Sequence, residues 1–169
     1  MKCSIIFIAG TVLALIPATF QYSEGAPCVG GRIPFSTGHG VRSGSITKNK
    51  YRAAGLPQEV SSGQTVTFTI VDANPARYTT KEAGFLVAIV NDENIGVGKL
   101  TATRGISRVV SCGGGSFLTH DGDMQPFDVS VTWTAPVVSS KTTVTLKGTV
   151  VRSYTDVYRL IYQDVTVLP

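Results

Sequence analysis

The 169-residue chain has few of the side chains from which catalytic sites are built. It contains only two histidines, His39 and His120, each in a glycine-rich context. Ser116, His120 and Asp121 are close in sequence, but the glycines before Ser116 do not form a nucleophile elbow. One short segment also cannot supply both a triad and an oxyanion hole. We therefore expect a protein that is not an enzyme and has no catalytic residues.

Residues that bind metal ions are equally scarce. The one local group, His120 to Asp123, offers an imidazole and carboxylates, but the calcium-loop pattern is absent and no second ligand cluster is visible. The segment is more typical of a polar turn. The sequence predicts neither a metal site nor a cofactor.

Only one long apolar run is present, Ile5–Ile16, and it follows the single positive charge of Lys2. The run is too short to span a bilayer comfortably, and small residues follow it, which is the layout of a secretory signal peptide. A retained anchor helix is disfavoured because no basic stop-transfer cluster comes next. We predict a signal peptide over residues 1–25, a secreted, extracellular chain that begins near Ala26, and no membrane span.

Cysteine is rare as well, with three residues in the chain. Cys3 would leave with the signal peptide, so the exported chain keeps Cys28 and Cys112. An even pair in an oxidising compartment predicts a disulfide between them, whereas zinc binding would need further ligands at close spacing. Closing so long a loop stabilises a fold by about 4 to 5 kcal/mol in the chain-entropy model. The bridge would hold the irregular N-terminal segment against the rest of the domain.

Short apolar or alternating segments, in contrast, are abundant. In Thr65–Val71, polar and apolar residues alternate, which places Val66, Phe68 and Ile70 on one buried face of a strand. The segment Gly84–Val90 is apolar almost throughout and too short for a helix. It therefore predicts a central strand.

Further strands are predicted nearer the C-terminus. In Asp128–Trp133 the alternation places Val129, Val131 and Trp133 on one face, and we expect Trp133 at the centre of the core. β-branched and aromatic residues are dense in three more segments, which are Thr143–Val151, Val157–Tyr162 and Val165–Val167. No segment is typical of a helix of normal length.

The stretch from Cys28 to Gly63 shows no sustained period and is rich in glycine, serine, proline and basic residues. It is predicted as an irregular lead-in with one edge strand around Ser45–Tyr51. Several short strands separated by glycine and proline predict an all-β fold. We expect an immunoglobulin-like antiparallel β-sandwich with an irregular N-terminal lead-in, in a single domain over residues 26–169.

The chain is mildly basic, with 15 lysines and arginines against 11 acidic residues and a formal net charge of +4. Four cations form a basic strip, which consists of Arg42, Lys48, Lys50 and Arg52. This strip is a candidate site for polyanions such as microbial surface polymers or glycosaminoglycans. The alternative is an edge strand whose lysines prevent edge-to-edge pairing. Aromatic residues do not alternate with the cations as in single-strand nucleic-acid sites, so no nucleic-acid partner is expected.

Several motifs occur in an order that resembles the Reeler domain family. They are Gly25-Ala26-Pro27-Cys28, Gly38-His39-Gly40, Gly84-Phe85-Leu86-Val87-Ala88, Cys112 followed by Leu118-Thr119-His120, Val131-Thr132-Trp133-Thr134-Ala135-Pro136, and Gly148-Thr149-Val150-Val151-Arg152-Ser153. The likeness covers residues 26 to 168. The chain departs from the family in having Tyr158 where an aromatic position is typically tryptophan, and in a longer segment between Cys28 and His39.

The resemblance implies an immunoglobulin-like sandwich and supports the same Cys28 to Cys112 bridge. No further domain is visible in the sequence, so the resemblance favours the branch of the family whose members occur alone, the secreted defence proteins. The function implied is that of an innate-immunity protein that is antimicrobial or binds microbes. The alternative is an extracellular-matrix or glycosaminoglycan-binding module without antimicrobial activity.

Overall fold

The computed structural model describes residues 25–33, 35, 51–73, 82–122, 125–126, 128–151, 157–159 and 163–169. The predicted signal peptide, apart from Gly25, lies outside these residues, as does the predicted edge strand up to residue 50. Within the described ranges the regular structure consists of strands, with no helix. The prediction of an all-β fold is therefore confirmed.

The strands are numbered in chain order. They are β1 (Tyr51–Ala54), β2 (Glu59–Ser61), β3 (Thr65–Asp72), β4 (Glu82–Val90), β5 (Lys99–Thr101), β6 (Ser107–Cys112), β7 (Gly115–His120), β8 (Gln125–Pro126), β9 (Val129–Thr134), β10 (Thr142–Val151), β11 (Val157–Arg159) and β12 (Gln163–Leu168).

The strands form two sheets. The smaller sheet has the order β1-β3-β9-β5, and the larger has the order β2-β12-β10-β4-β7-β6, with β8 paired to β4 and β11 paired to β10. Neighbours are antiparallel except for β2 and β12, which are parallel. That pair departs from a purely antiparallel sandwich. The short β2 forms one edge of the larger sheet and lies beside β12, the last strand of the chain.

The core between the sheets is centred on Trp133, as the sequence predicts. Its side chain is completely buried, and its indole Nε1 donates a hydrogen bond of 2.9 Å to the carbonyl of Val97. Phe68 and Ile70 on β3 are buried in the same cluster, whereas Val66 is only partly buried. Alternate residues of β3 and β9 thus face the larger sheet, as a period of two requires.

Strand β4 is buried on both of its faces, which explains its nearly continuous apolar sequence. Phe85, Val87 and Ile89 belong to the core between the sheets. Leu86, Ala88 and Val90 belong to a second buried cluster on the opposite face of the larger sheet. The N-terminal segment covers this second cluster, with Ile33 buried in it and Ala26, Cys28 and Phe35 packed against it. The irregular lead-in therefore forms a partial third layer.

Candidate functional site

The lead-in segment, here residues 25–33 and 35, is fixed to the larger sheet by a disulfide and two side-chain hydrogen bonds. Cys28 and Cys112 form the disulfide that the cysteine count predicts, with Cα atoms 5.4 Å apart. The backbone N–H of Ala26 donates to Thr119 Oγ1 at 3.0 Å. At the other end, the hydroxyl of Thr149 donates to the carbonyl of Phe35 at 3.1 Å. The segment therefore lies across the sheet at three points.

Close backbone contact at the disulfide requires glycine. A β-carbon on Gly113 would collide with the carbonyl oxygen of Gly31, and Gly113 also has a positive φ of 59°. Both features favour a residue without a side chain. This contact brings the hairpin of β6 and β7 directly against the lead-in segment.

A groove, the lead-in groove, opens between the lead-in segment and the loop 91–98 that follows β4. Its volume is about 760 Å³, and its lining includes Arg32, Ile33, Phe35, Glu93, Asn94 and Lys147. Lys147 extends from β10 and donates through Nζ to Asn94 Oδ1 at 2.5 Å. Asn94 has a φ of 63°, a conformation that asparagine tolerates better than most residues. The groove thus combines cations, an amide, a carboxylate and apolar side chains in one concave surface.

The outward side of the smaller sheet carries a regular array of hydroxyl groups. In the smaller sheet, the residues that point away from the core include Thr65, Thr67 and Thr69 on β3, Ser130, Thr132 and Thr134 on β9, and Thr101 on β5. The register places Thr65 beside Thr134 and Thr67 beside Thr132. Their hydroxyls are hydrogen-bonded across the strands at 2.8 and 3.1 Å.

Two cations border this array. We call the array and these two cations together the hydroxyl face. Lys99 on β5 pairs with Thr134, and Arg52 on β1 pairs with Val71 at the other edge of the sheet. Both side chains are exposed. Residues paired across antiparallel strands point to the same side, so both cations project from the side that carries the hydroxyls. Within the described ranges these four strands have no carboxylate at their outward positions, although the exposed Asp128 directly precedes β9.

The structure places one of the four cations of the basic strip, Arg52, on this face. Arg42, Lys48 and Lys50 lie outside the described residues, so their role in polyanion binding stays a prediction. Sequence reasoning missed Lys99, Arg32 and Lys147. Each of them is isolated in the sequence, and only the strand register or the fold of the lead-in segment brings it to a surface shared with other polar groups.

His120 is held by the backbone in a manner that fits a structural role. Its Nδ1 accepts a hydrogen bond of 3.2 Å from the N–H of Phe85 in the tautomer whose ring proton is on Nε2, and the same Nδ1 lies 3.4 Å from the carbonyl oxygen of Phe85. The ring lies against the backbone of Gly84. Ser116, on the same strand, is about 13 Å away along an extended chain, too far for a direct contact with His120. The local serine, histidine and aspartate therefore do not converge.

Of the group His120 to Asp123, the structure describes residues 120–122, and Asp123 lies outside the described residues. Across the described residues no three histidine, cysteine, aspartate or glutamate side chains lie together in a metal-binding group. Asp121 donates its backbone N–H to the carbonyl of Ile106 at 3.1 Å, and Gly122 follows in a bend with a φ of 85°. These residues form a turn after β7.

The two sheets, the core around Trp133 and the lead-in segment bridged to the larger sheet define this protein as an all-β sandwich. The sequence model of the Reeler domain matches residues 30–167, which is most of the chain. The chain therefore belongs to the Reeler domain family.

Solved structures agree with this assignment at the level of the fold. The human F-spondin reeler domain (fragment 1) is 14% identical, with a TM-score of 0.55, and the match covers 73% of this chain and 95% of that one. A second structure, the Reelin-N domain of F-spondin, is 17% identical, with a TM-score of 0.56 and coverages of 75% and 94%. A comparison with curated proteins finds no match. Both of these structures are domains of F-spondin, and at 14% and 17% identity they show the fold that this chain shares with them.

The described residues include no helix that is long and apolar enough to cross a membrane.

Proposed function

We propose that this chain is a secreted defence protein that binds microbes through anionic polymers on their surface, and that the hydroxyl face makes the contact. One observation carries the proposal: the outward side of the smaller sheet combines an array of hydroxyls with two exposed cations, Arg52 and Lys99. The Reeler fold alone does not define a ligand, because function depends on the sites that a fold carries.

The spacing of the array fits a repetitive polymer. Neighbouring strands are about 4.8 Å apart, and residues two apart on one strand are separated by about 6.8 Å. Each hydroxyl both donates and accepts hydrogen bonds, so it can bind sugar hydroxyls or phosphate and carboxylate oxygens. The bonds of Thr65 with Thr134 and of Thr67 with Thr132 also hold these side chains in place. Less side-chain freedom is then lost when a ligand binds.

The charges of the face favour a negatively charged partner. Arg52 and Lys99 lie at opposite edges of the array, and the four strands carry no carboxylate at their outward positions; an acidic neighbour is Asp128, which directly precedes β9. Exposed cations of this kind attract polyanions over distances of about 10 Å at 0.1 M salt. The basic strip would extend the positive region beyond Arg52 if Lys48 and Lys50 lie on the same side.

Binding to whole bacteria and to immobilised heparin, measured in parallel from about 0.1 to 1 M salt, tests the proposal. The double variant Arg52→Gln/Lys99→Gln removes both cations of the hydroxyl face. The matched control is Arg104→Gln/Lys141→Gln, which removes two exposed cations outside the four strands. A third variant, Thr67→Val/Thr132→Val, removes hydroxyls but keeps the β-branched shape.

We expect the parent chain and the control to bind bacteria and to inhibit their growth, with binding that weakens as salt rises. The cation variant should bind about tenfold more weakly, and the hydroxyl variant should also lose affinity. Retention on heparin without bacterial binding would replace this function with that of a matrix module. Equal bacterial binding by all variants would show that the hydroxyl face is not the contact surface.

A further inference from the structure

We infer that the lead-in groove is a binding site for a carboxylated sugar of one or two rings. The groove lies on the outer face of the larger sheet, whereas the hydroxyl face belongs to the smaller sheet on the other side of the sandwich. The two sites are therefore separate. This inference does not rest on the function proposed for the hydroxyl face.

The shape of the groove suits a small ligand. Its volume of about 760 Å³ lies within the range of about 300 to 1,000 Å³ that is usual for small-molecule sites. The walls are fixed independently of any ligand. The disulfide of Cys112 and the bond from Thr149 to the carbonyl of Phe35 hold one wall, and the bond from Lys147 to Asn94 holds the other. A groove with fixed walls loses little entropy on binding.

The charges in the groove fit a ligand with a single negative charge. Among the described lining residues, Arg32 and Lys147 contribute two positive charges and Glu93 contributes one negative charge, so that these described groups sum to +1. A guanidinium matches the two oxygens of a carboxylate, and an ammonium adds a strong point charge. The carboxylate of Glu93 opposes a ligand that carries several anionic groups.

The other polar groups favour a ligand with hydroxyls. Asn94 accepts from Lys147 through Oδ1, so its Nδ2, which carries two donor hydrogens, points away from that ammonium. Glu93 is an exposed acceptor next to Asn94 in the same loop. Donors and acceptors that alternate in this way pair well with sugar hydroxyls, each of which both donates and accepts.

Apolar side chains complete the site. Ile33, Phe35 and the half-cystine Cys112 line the groove and belong to or pack against the second buried cluster. They offer a surface for the C–H face of a pyranose ring, while the charged and amide groups lie around them. A ligand with one apolar face, a hydroxyl-bearing edge and one carboxylate satisfies each of these groups.

Titration of the ¹⁵N-labelled exported chain with D-glucuronate, D-glucose and propionate, followed by amide chemical shifts, tests the inference. Glucuronate should shift the amides of Arg32, Asn94 and Lys147 with a Kd on the order of 1 mM. Glucose lacks the carboxylate and propionate lacks the ring, so each should bind at least about tenfold more weakly. Equal binding of propionate, or shifts outside the groove only, would overturn the inference.

Two groove variants and two controls complete the experiment. Lys147→Met nearly keeps the length of the side chain but removes its charge. Arg32→Gln removes the charge and shortens the side chain, at an exposed position where folding is not at risk. Each should weaken glucuronate binding by about tenfold. Lys141→Met should bind glucuronate normally, and so should the Arg52→Gln/Lys99→Gln variant, because neither alters the groove. Unchanged affinity in Arg32→Gln would count against the site even if Lys147→Met failed to fold.

Discussion

The indole Nε1 of Trp133 donates a hydrogen bond of 2.9 Å to the carbonyl oxygen of Val97. Trp133 lies on β9 in the smaller sheet, and Val97 lies in the loop that also contributes Asn94 to the lead-in groove. Since the N–H of Val97 donates to the carbonyl of Ile89 on β4, this loop is tied to both sheets. The largest core residue therefore also positions the loop that lines the lead-in groove.

Replacement of this tryptophan tests its double role. Trp133→Phe leaves a cavity and deprives the Val97 carbonyl of its donor, so the free energy of unfolding should fall by roughly 2 to 4 kcal/mol. Urea denaturation monitored by circular dichroism provides the measurement. As a control, Thr143→Ser changes an exposed residue and should alter stability by less than about 0.5 kcal/mol. A Trp133→Phe variant as stable as the parent would contradict the assignment of Trp133 as the core centre.

The sequence predicted the strands that have one clear pattern and missed those that depend on partners. Strands β3 and β9 alternate, and β4 is apolar throughout, so all three were predicted from local sequence. The hairpin of β6 and β7 was missed although Gly113 and Gly114 both adopt positive φ in its turn. A pair of glycines between two short strands is a hairpin signal. In β6, however, the apolar Val109 lies at an exposed position, so polar and apolar residues do not alternate along the strand.

The candidate site was less predictable than the fold, for a physical reason. The disulfide followed from counting cysteines, because only two remain after residue 25. The hydroxyl face depends on the register that places Thr65 beside Thr134 and Lys99 beside Thr134, and register is not visible in an isolated sequence. The lead-in groove depends on how an irregular segment crosses the sheet.

The disulfide should contribute to stability and to the position of the lead-in segment. Cys28→Ser/Cys112→Ser should lower the free energy of unfolding by about 2 to 5 kcal/mol. Hydrogen exchange should show faster exchange at the amide of Ala26, whose bond to Thr119 Oγ1 depends on the segment staying in place. The parent chain treated with a reductant is the matched control and should behave like the variant. Unchanged exchange at Ala26 in both would show that packing alone holds the segment.

The hydrogen bond between Phe85 and His120 predicts a specific difference between two substitutions. His120→Leu leaves the N–H of Phe85 without its acceptor and should cost about 1 to 3 kcal/mol of stability. His120→Asn offers an oxygen near the position of Nδ1 and should retain most of that stability. Long-range ¹H–¹⁵N NMR spectra of the parent should show the proton on Nε2. A proton on Nδ1, or equal stability of the two variants, would contradict the assignment.

Gly113 and Gly114 allow the contact with the lead-in segment to be separated from backbone strain. Both have positive φ, 59° and 86°, so an alanine at either position is strained by about 1 to 2 kcal/mol. A β-carbon at Gly114 meets nothing within 4 Å, whereas one at Gly113 collides with the carbonyl oxygen of Gly31. Gly113→Ala should therefore destabilise the protein more than Gly114→Ala does.

The additional loss in Gly113→Ala should also have a local signature. Because Gly31 adjoins Arg32 in the groove lining, displacement of the segment should weaken glucuronate binding in Gly113→Ala and leave it intact in Gly114→Ala. Urea denaturation and the amide titration measure the two effects on the same samples. If the two variants lost equal stability and bound glucuronate alike, the contact between Gly113 and Gly31 would have no part in holding the groove, and its wall would depend on the disulfide and on the bond from Thr149 to Phe35.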